Sequence, residues 1–351
     1  LLPAQHLTEL TAHLSGKEPI VPVNRVPTQL KSSSELDLCD VRGQHLGRRG
    51  VELASAGGHD LLMIGPPGCG KTMLAERLPG LLPPMTEAEA LETACIYSVS
   101  RPGFEHCCWR MRPFRSPHHS ASAVALVGGG SRVLPGEISL AHNGVLFLDE
   151  LTEFDRRVLD QLREPLEAGS ITVARASRSV VYPSRFQLVA AMNPCPCGYA
   201  GDPSGRCRCS SERQSRYQRR ISGPLLDRID LQIRIASVEL TDLRFGSLPG
   251  ESTDLVRQRV EGSRALQFDR CGMLNARIPI DQLEKVCAVS VEGRRLLAEA
   301  IETLGFTARA YHRILRLSRT VSDLAGSDTV QAEHIAESLQ FRFLDRASSW
   351  C

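Results

Sequence analysis

The chain has 351 residues, enough for two or three domains with a sizeable hydrophobic core. Its formal net charge of +2 excludes a global electrostatic attraction to nucleic acid or membranes, so any such preference must be local. No apolar stretch approaches the ~20 residues that a membrane-spanning helix needs and no secretory signal opens the sequence, so we expect a cytoplasmic protein without a membrane partner.

The order of predicted elements divides the chain into three parts. Residues 1–35 hold a short helical pattern and a Pro-, Ser- and Lys-bearing stretch, and we interpret them as a linker and the tail of a missing N-terminal domain. Residues 36–240 alternate strand-like apolar runs with longer amphipathic segments, which indicates an α/β core. Over residues 250–351 the strand pattern gives way to helical spacing, which predicts an all-helical domain.

Individual strands and helices follow from the periodicity of apolar residues. Four apolar runs predict buried strands, at 61–64, 145–148, 187–191 and 231–235. Residues 171–182 predict a β-hairpin with a polar tip. Helical spacing predicts helices at 5–14, 253–267, 279–286, 291–304, 308–325 and 331–345.

The first of these strands runs into a phosphate-loop motif, G-x-x-x-x-G-K-[ST], at residues 65–72. Its glycines let backbone N–H groups face the β-phosphate of a nucleotide, Lys71 can reach the β/γ oxygens, and the Thr72 hydroxyl can bind Mg²⁺. A Gly/Pro-rich turn with an incidental lysine is disfavoured, because a strand precedes the loop and a helix follows it. We therefore expect ATP to be bound by Gly65, Pro66, Pro67, Gly68, Cys69, Gly70, Lys71 and Thr72.

Polar residues after two further strands complete the expected site. Asp149 can hold Mg²⁺ beside Thr72, and Glu150 can orient and deprotonate the water that attacks the γ-phosphate. Asn193 follows another predicted strand and can hydrogen-bond that water or the γ-phosphate. Each has an ordinary alternative, namely two solvated acids at a strand end and an Asn that starts a turn before Pro194.

Four longer stretches, together with this order of motifs, resemble a known family. They read FRSPHHS at 114–120, PGEISLAH at 135–142, AMNPCPCG at 191–198 and GFTARAYHR at 305–313. With GPLLDRID at 223–230, they resemble the AAA+ ATPases, more narrowly the magnesium-chelatase-like group and its ComM-type competence ATPases. The resemblance covers roughly residues 35–345 and implies an AAA+ P-loop NTPase core with a parallel sheet, followed by an all-α lid.

The resemblance also implies two arginine roles and an assembly. Arg228 would be an arginine finger that reaches the ATP of a neighbouring subunit, an effect that can be worth ~10³–10⁵ in rate. Arg309, on a lid helix, would contact the γ-phosphate of its own subunit. A finger that acts in trans implies a homo-oligomeric ring, expected to be a hexamer.

The function implied by the resemblance is a Mg-ATP-hydrolysing ring motor that acts on DNA, in helicase or branch-migration work during natural transformation. One alternative is the motor subunit of a magnesium-chelatase complex, which remodels a protein partner. Another is a non-enzymatic nucleotide switch or scaffold. Glu150 disfavours the switch, because a protein that only binds ATP has no need of a general base.

Three segments are candidates for contact with a polyanion such as DNA. An insert at 112–136 contains three consecutive glycines and several basic or imidazole side chains, among them Arg112, Arg115, His118 and His119. The predicted hairpin offers Arg175 and Arg178. Residues 206–220 carry one glutamate and six arginines, Arg206, Arg208, Arg213, Arg216, Arg219 and Arg220. A solvated or inter-subunit charged face is the alternative for each, and a metal site at the paired histidines is disfavoured because no further ligands lie nearby in sequence.

Twelve cysteines in such a chain indicate metal binding or burial rather than a disulfide scaffold. Cys195, Cys197, Cys207 and Cys209 form a C-x-C-x₉-C-x-C pattern in a glycine-rich loop at 195–209. Four thiolates in such a loop can close a tetrahedral structural Zn²⁺ site. The spacing differs from the usual C-x₂-C, and four reduced cysteines on an exposed loop are the alternative.

Overall fold

The computed structural model of the protein describes residues 4, 6–21, 36–130, 132–175, 178–237, 250–342 and 344, without the side chains of Arg175 and Arg178. The predicted contacts of these two arginines, the hairpin tip, most of the predicted 1–35 linker and the end of the predicted lid therefore lie outside the described residues. In the part of the chain that the structure describes, every helix is too short or too polar to cross a lipid bilayer.

The centre of the fold is a parallel sheet. The strands in chain order are β1 (Leu61–Ile64), β2 (Phe114–Arg115), β3 (Gly128–Gly129), β4 (Leu134–Pro135), β5 (Val145–Leu148), β6 (Ser170–Arg175), β7 (Arg178–Pro183), β8 (Gln187–Met192) and β9 (Leu231–Arg234). Within the described residues, five of them form one sheet in the order β2-β5-β8-β1-β9, and every neighbouring pair is parallel. The continuous apolar runs of β1, β5 and β8 are buried along their whole length, as expected for a parallel sheet covered on both faces.

Each of the four predicted strands is present, with β8 one residue longer and β9 one residue shorter than predicted. The edge strand β2 was not predicted, because it spans only two residues inside the segment assigned to the insert. Gly144 makes this edge possible: a Cβ at that position would lie 2.0 Å from the Pro113 carbonyl oxygen, so only glycine permits the close approach.

Helices cover both faces of the sheet and continue to the C-terminal part of the described chain. In chain order they are α1 (Leu7–Leu14), α2 (His45–Gly57), α3 (Lys71–Leu81), α4 (Glu87–Ser98), α5 (Ala123–Val127), α6 (Glu137–Leu140), α7 (Arg156–Asp160), α8 (Arg163–Ala168), α9 (Ser211–Gln218), α10 (Gly223–Leu226), α11 (Thr253–Cys271), α12 (Ile280–Cys287), α13 (Val291–Leu304), α14 (Ala308–Leu324) and α15 (Ala332–Gln340). The five helices predicted after residue 250 are present, although α15 ends before the predicted residue 345.

Two of these C-terminal helices belong to the core of the sheet rather than to a separate body. Val256 of α11 and Val321 of α14 lie in the same buried cluster as Leu61 and Phe147 of the sheet. A second buried cluster joins α12, α13, α14 and α15 to one another. The helical part is therefore fixed against the sheet through α11 and α14.

Two hairpins lie beside the sheet and touch each other. The predicted insert contains the hairpin β3–β4 between the short helices α5 and α6. Gly128 and Gly129, two of its three consecutive glycines, form the strand β3 and are paired with β4. The predicted hairpin at 171–182 is confirmed as β6–β7. The Tyr182 hydroxyl donates a hydrogen bond of 2.7 Å to the Val133 carbonyl oxygen, which ties the two hairpins together.

Candidate functional site

The phosphate loop has the backbone geometry that its sequence predicts. Gly68 and Gly70 adopt φ angles of 75° and 93°, a left-handed conformation that glycine enters without strain. Gly70 caps α3, which begins at Lys71, so the N-terminus of that helix faces the loop. A Cβ at Gly65 would lie 2.3 Å from the Ile235 carbonyl oxygen, so the start of the loop also requires glycine.

The Lys71 side chain lies along the inside of this loop. Its ammonium group donates hydrogen bonds to the carbonyl oxygens of Gly65 at 2.7 Å and Pro66 at 2.8 Å, and lies 3.3 Å from Asn193 Oδ1. Burial lowers the pKa of Lys71, while the neighbouring Cys69 and Asp149 oppose this shift. Burial also raises the pKa of the Cys69 thiol, so this cysteine is a poor nucleophile despite its place in the loop.

The acidic and amide residues meet the loop at the carboxyl edge of the sheet. Since β8 lies between β5 and β1, Asn193 sits between Asp149 and the phosphate loop. Asp149 accepts hydrogen bonds from the Thr72 hydroxyl at 2.9 Å and from the backbone N–H of Glu150 at 2.8 Å. A hydroxyl and a carboxylate oxygen side by side are the donor set that Mg²⁺ prefers, so these residues fit the ion that the motif implies.

Glu150 has a partner that the sequence analysis did not anticipate. Its carboxylate Oε2 lies 3.1 Å from His119 Nδ1, and its backbone is left-handed, with φ of 51°. The signal was the register of the overlooked strand: Arg115 pairs with Leu146, and four residues further along both parallel chains come His119 and Glu150. The His118 and His119 rings are 4.1 Å apart, and His118 Nδ1 bonds the Ser120 hydroxyl instead.

Arg228 and Arg309 lie at the opposite edge of the sheet. Both line a cavity of about 630 Å³ together with Asp60 and Asp230, the residues just before β1 and β9. The four residues of β1 rise about 13 Å between this edge and the phosphate loop. The packing of α14 directs its start to the amino edge of the sheet, so Arg309 lies away from the phosphate loop of its own chain, and its role at the nucleotide stays a prediction.

Ion pairs hold both arginines at this edge. Arg228 pairs with Glu167, donates to the Pro224 carbonyl oxygen at 2.5 Å, and has a buried Nε without a partner among the described residues. Arg309 lies 3.8 Å from Asp227 and its side chain is 66% exposed. Arg309 can thus face another molecule at this surface, whereas the Arg228 side chain is 10% exposed and would first have to leave Glu167.

Two arginines of the insert, Arg112 and Arg115, are engaged in contacts within the chain. Arg112 is 12% exposed and donates to the Pro83 and Asn143 carbonyl oxygens at 2.7 and 2.8 Å. Arg115 forms a two-point ion pair with Glu137. These contacts occupy both guanidinium groups within the chain, and their contact with a threaded polymer stays a prediction.

The third predicted segment does form an exposed basic surface. All six of its arginines are exposed, in the cysteine loop, on α9 and directly after it, namely Arg206, Arg208, Arg213, Arg216, Arg219 and Arg220. Arg216 pairs with Glu212 at 3.2 Å, and Arg220 pairs with Glu153 at 3.1 Å. We call these six residues the arginine segment.

The four predicted cysteine ligands converge. The sulfur atoms of Cys195 and Cys197 are 3.3 Å apart. The Cys207 sulfur lies 3.8 Å from that of Cys195 and 3.7 Å from that of Cys197. With Cys209 included, all four sulfurs lie within 4.8 Å of one another, and none is in a disulfide. The backbone N–H of Tyr199 donates to Cys197 and lowers the pKa of its thiol to about 6.

Comparison with known proteins agrees with this geometry. Residues 37–243 match the family model described as magnesium chelatase, subunit ChlI, and residues 250–342 match the model of the ChlI C-terminal part. The chain is 48% identical over 345 residues to a protein of Escherichia coli (strain K12) named uncharacterized protein YifB, covering 98% of this chain and 67% of that protein. It thus spans about two thirds of the length of this relative.

Two further relatives carry functional names. The competence protein ComM of Haemophilus influenzae is 45% identical over 348 residues, covering 98% of this chain and 68% of that protein. The chloroplastic magnesium-chelatase subunit ChlI of Glycine max is 26% identical over 227 residues, covering 60% of this chain and 45% of that protein. On these matches and on its parallel-sheet core followed by helices, the chain belongs to the magnesium-chelatase-like AAA+ family, with relatives of the ComM and YifB type.

Proposed function

We propose that this chain hydrolyses Mg-ATP between neighbouring subunits of a ring, expected to be a hexamer, and uses the energy to move along DNA. The observation that carries the proposal is the convergence of Lys71, Thr72, Asp149, Glu150 and Asn193 at one edge of the sheet. We also propose that it acts in the cytoplasm, where ATP is abundant and the free thiols stay reduced.

Each residue of the site has a role in this proposal. The phosphate-loop backbone and Lys71 bind the β- and γ-phosphates, and the oxygens of Thr72 and Asp149 hold Mg²⁺, which screens the phosphate charge. Glu150 takes the proton of the attacking water, and Asn193 orients that water or the γ-phosphate. Because Glu150 contacts His119, it must leave this imidazole before both carboxylate oxygens can approach a water.

The ring follows from the separation of the two edges. A catalytic arginine is needed at the γ-phosphate, yet Arg228 and Arg309 lie at the amino edge of the sheet, and the phosphate loop lies at the other end of β1, a strand about 13 Å long. Both can serve the ATP of an adjacent subunit if the carboxyl edge of one chain faces the amino edge of the next. Such a head-to-tail contact closes into a ring. Arg228 exchanges its contact with Glu167 for the neighbour's γ-phosphate in this arrangement.

DNA is the proposed track because of the arginine segment and the named relative. The six exposed guanidinium groups of the arginine segment provide a local positive surface on a chain with a net charge of only +2. The ComM relative is named for competence, which concerns the uptake of DNA. The hairpins β3–β4 and β6–β7, with His118 at the start of the insert, are further proposed contacts.

The test is steady-state ATP hydrolysis with and without single-stranded and forked DNA, at low and moderate salt. We expect DNA to raise turnover and the effect to weaken with salt. Arg216→Ala should reduce the stimulation. Arg295→Ala is the matched control, because both arginines are 82% exposed and pair with a glutamate four residues away on the same helix face. Equal effects of the two variants would remove the arginine segment from the proposal.

A second candidate is favoured by the family match itself. The ChlI models cover residues 37–243 and 250–342, so a chelatase-type motor that remodels a protein partner is a real alternative. Turnover that a protein partner raises and DNA does not would support it. ATP binding without any hydrolysis would instead indicate a nucleotide switch or scaffold.

We further propose that Cys195, Cys197, Cys207 and Cys209 hold a structural zinc ion. A tetrahedral site with Zn–S bonds of ~2.3 Å has sulfur–sulfur distances of ~3.8 Å. The three sulfur separations of 3.3, 3.7 and 3.8 Å approach this value, whereas a disulfide needs ~2.05 Å. Metal analysis of the purified protein should give close to one zinc per chain, and a zinc-free protein would contradict the assignment.

A further inference from the structure

The four-cysteine cluster is joined to the ATP site by the shortest possible connection. Asn193 directly follows the central strand β8, and only Pro194 separates it from the first ligand, Cys195. Cys195 is fully buried, and Gln218 of α9 donates a hydrogen bond of 3.0 Å to the Pro194 carbonyl oxygen. Asn193 therefore lies between the buried strand β8 on one side and the first cysteine on the other, and its side chain lies 3.3 Å from the Lys71 ammonium.

A second contact joins the cysteine loop to the phosphate loop itself. Gly198 follows Cys197 with φ of 85°, and a Cβ on it would lie 2.6 Å from the Pro67 ring. The backbone of the cysteine loop thus packs directly on the loop that binds phosphate. Two contacts, at Asn193 and at Pro67, thus join the cysteine loop to the ATP site, whereas Gly65 and the start of α3 hold the phosphate loop through contacts of their own.

The middle of the cysteine loop is rich in glycine and largely exposed. Between Cys197 and Cys207 it contains three glycines with positive φ angles, Gly198, Gly201 and Gly205. Glycines lose the most conformational entropy on ordering, and most of this segment is exposed, so few apolar contacts offset that loss. Metal binding can supply the missing free energy, as it does in small zinc-stabilised loops.

We propose that the zinc ion controls ATP turnover by holding the Asn193 side chain in its position beside the Lys71 ammonium. This inference rests on the proposed zinc site and on the proposed role of Asn193. Without the ion, the Cys195 and Cys197 half of the loop separates from the Cys207 and Cys209 half. Asn193 then loses its fixed position, whereas Lys71 and the backbone of the phosphate loop remain able to bind nucleotide.

The experiment removes zinc from the full chain with a chelator and follows the released metal with a colorimetric indicator. Turnover is measured in single-turnover mode, and ATP affinity with a fluorescent nucleotide. We expect the single-turnover rate constant to fall by at least about tenfold, because losing one preorganised polar group costs ~10²–10³ in kcat. The Kd for nucleotide should change by less than about threefold. Adding Zn²⁺ or Cd²⁺ should restore the rate, and adding Mg²⁺ alone should not.

A double-mutant cycle separates this route from a general loss of structure. In Asn193→Ala protein, zinc removal should cost less than about twofold, because its target side chain is already gone. An equal tenfold loss with and without Asn193 would overturn the proposed route. Full turnover in zinc-free wild-type protein would overturn the control of turnover by metal.

Ligand variants keep the test valid if zinc-free protein unfolds. Cys209→His retains a zinc ligand and should keep both metal and turnover, whereas Cys209→Ala should lose both. The exposed Cys95 lies outside the cluster, so Cys95→Ser is the control and should change neither. A Cys209→Ala protein that lacks zinc and is fully active would refute the inference. Zinc-loaded wild-type protein without any ATP turnover would instead refute the proposed function, and this coupling with it.

Discussion

Replacing His119 by alanine should raise the basal rate of ATP turnover, because the imidazole holds the carboxylate that we propose as the general base. His119 Nδ1 lies 3.1 Å from Glu150 Oε2, and the two side chains are 34% and 54% exposed. One oxygen of the carboxylate is engaged in this contact, so the free form of Glu150 is in equilibrium with the held form. His119→Ala removes the form in which Glu150 contacts the imidazole, and so increases the fraction of sites in which Glu150 is free to act on the water.

The exposure of the pair limits the size of this effect. Solvent-exposed ion pairs contribute ~0.2–1 kcal/mol, which corresponds to ~1.4- to 5-fold in the equilibrium between held and free Glu150. Steady-state hydrolysis at saturating ATP measures the change in kcat. His106→Ala is the control, because His106 is exposed and its ring contacts Phe104. An unchanged or lower kcat would refute the restraint, and a rise above about tenfold would show that the contact is more than an exposed pair.

Three further outcomes test the site and the fold. Glu150→Gln should keep nucleotide binding and assembly while hydrolysis falls by ~10²–10⁴, and normal hydrolysis would remove Glu150 as the base. A mixture of Arg228→Ala subunits and Glu150→Gln subunits should regain part of the ATP turnover that each variant lacks alone. An intact site can form where Glu150 of an Arg228→Ala subunit faces Arg228 of a Glu150→Gln subunit. No recovery of turnover would contradict action of Arg228 in trans. Burial and the neighbouring Asp230 raise the pKa of Asp60 to about 7, so the folded protein keeps a proton that the unfolded chain releases above about pH 4, and stability should decrease as pH rises from about 4 to 7. Urea unfolding of Asp60→Asn should show a flatter profile over that range, and an unchanged profile would exclude Asp60 as the cause.

The interior of the sheet could be predicted from the sequence because buried parallel strands are continuous apolar runs. The runs at 61–64 and 145–148 are confirmed to the residue. Strand β2 could not be found in this way, since two residues carry no periodicity and Arg115 is not apolar. This omission concealed the contact between His119 and Glu150, which depends on the register of β2 against β5.

The residues at the carboxyl edge could be predicted because each follows directly from a strand or a motif. The location of Arg309 could not, because it depends on how α14 packs against the sheet. Arg313, one turn further along α14, pairs with Asp230 and donates to the Arg228 carbonyl oxygen at 2.7 Å. These tertiary contacts fix the start of α14 at the amino edge, and no local pattern encodes them.

The hydrogen bond between Tyr182 and Val133 has a consequence for the length of DNA strand that the proposed motor would advance for each ATP hydrolysed. Because the two hairpins are tied, they form one composite finger on each subunit. If the proposed ring draws a DNA strand past these hairpins, the strand would meet one such pair per subunit rather than two independent contacts. The length of strand advanced by each ATP would be set by the stroke of a single rigid finger, and loosening the tie would let the two hairpins slip past each other.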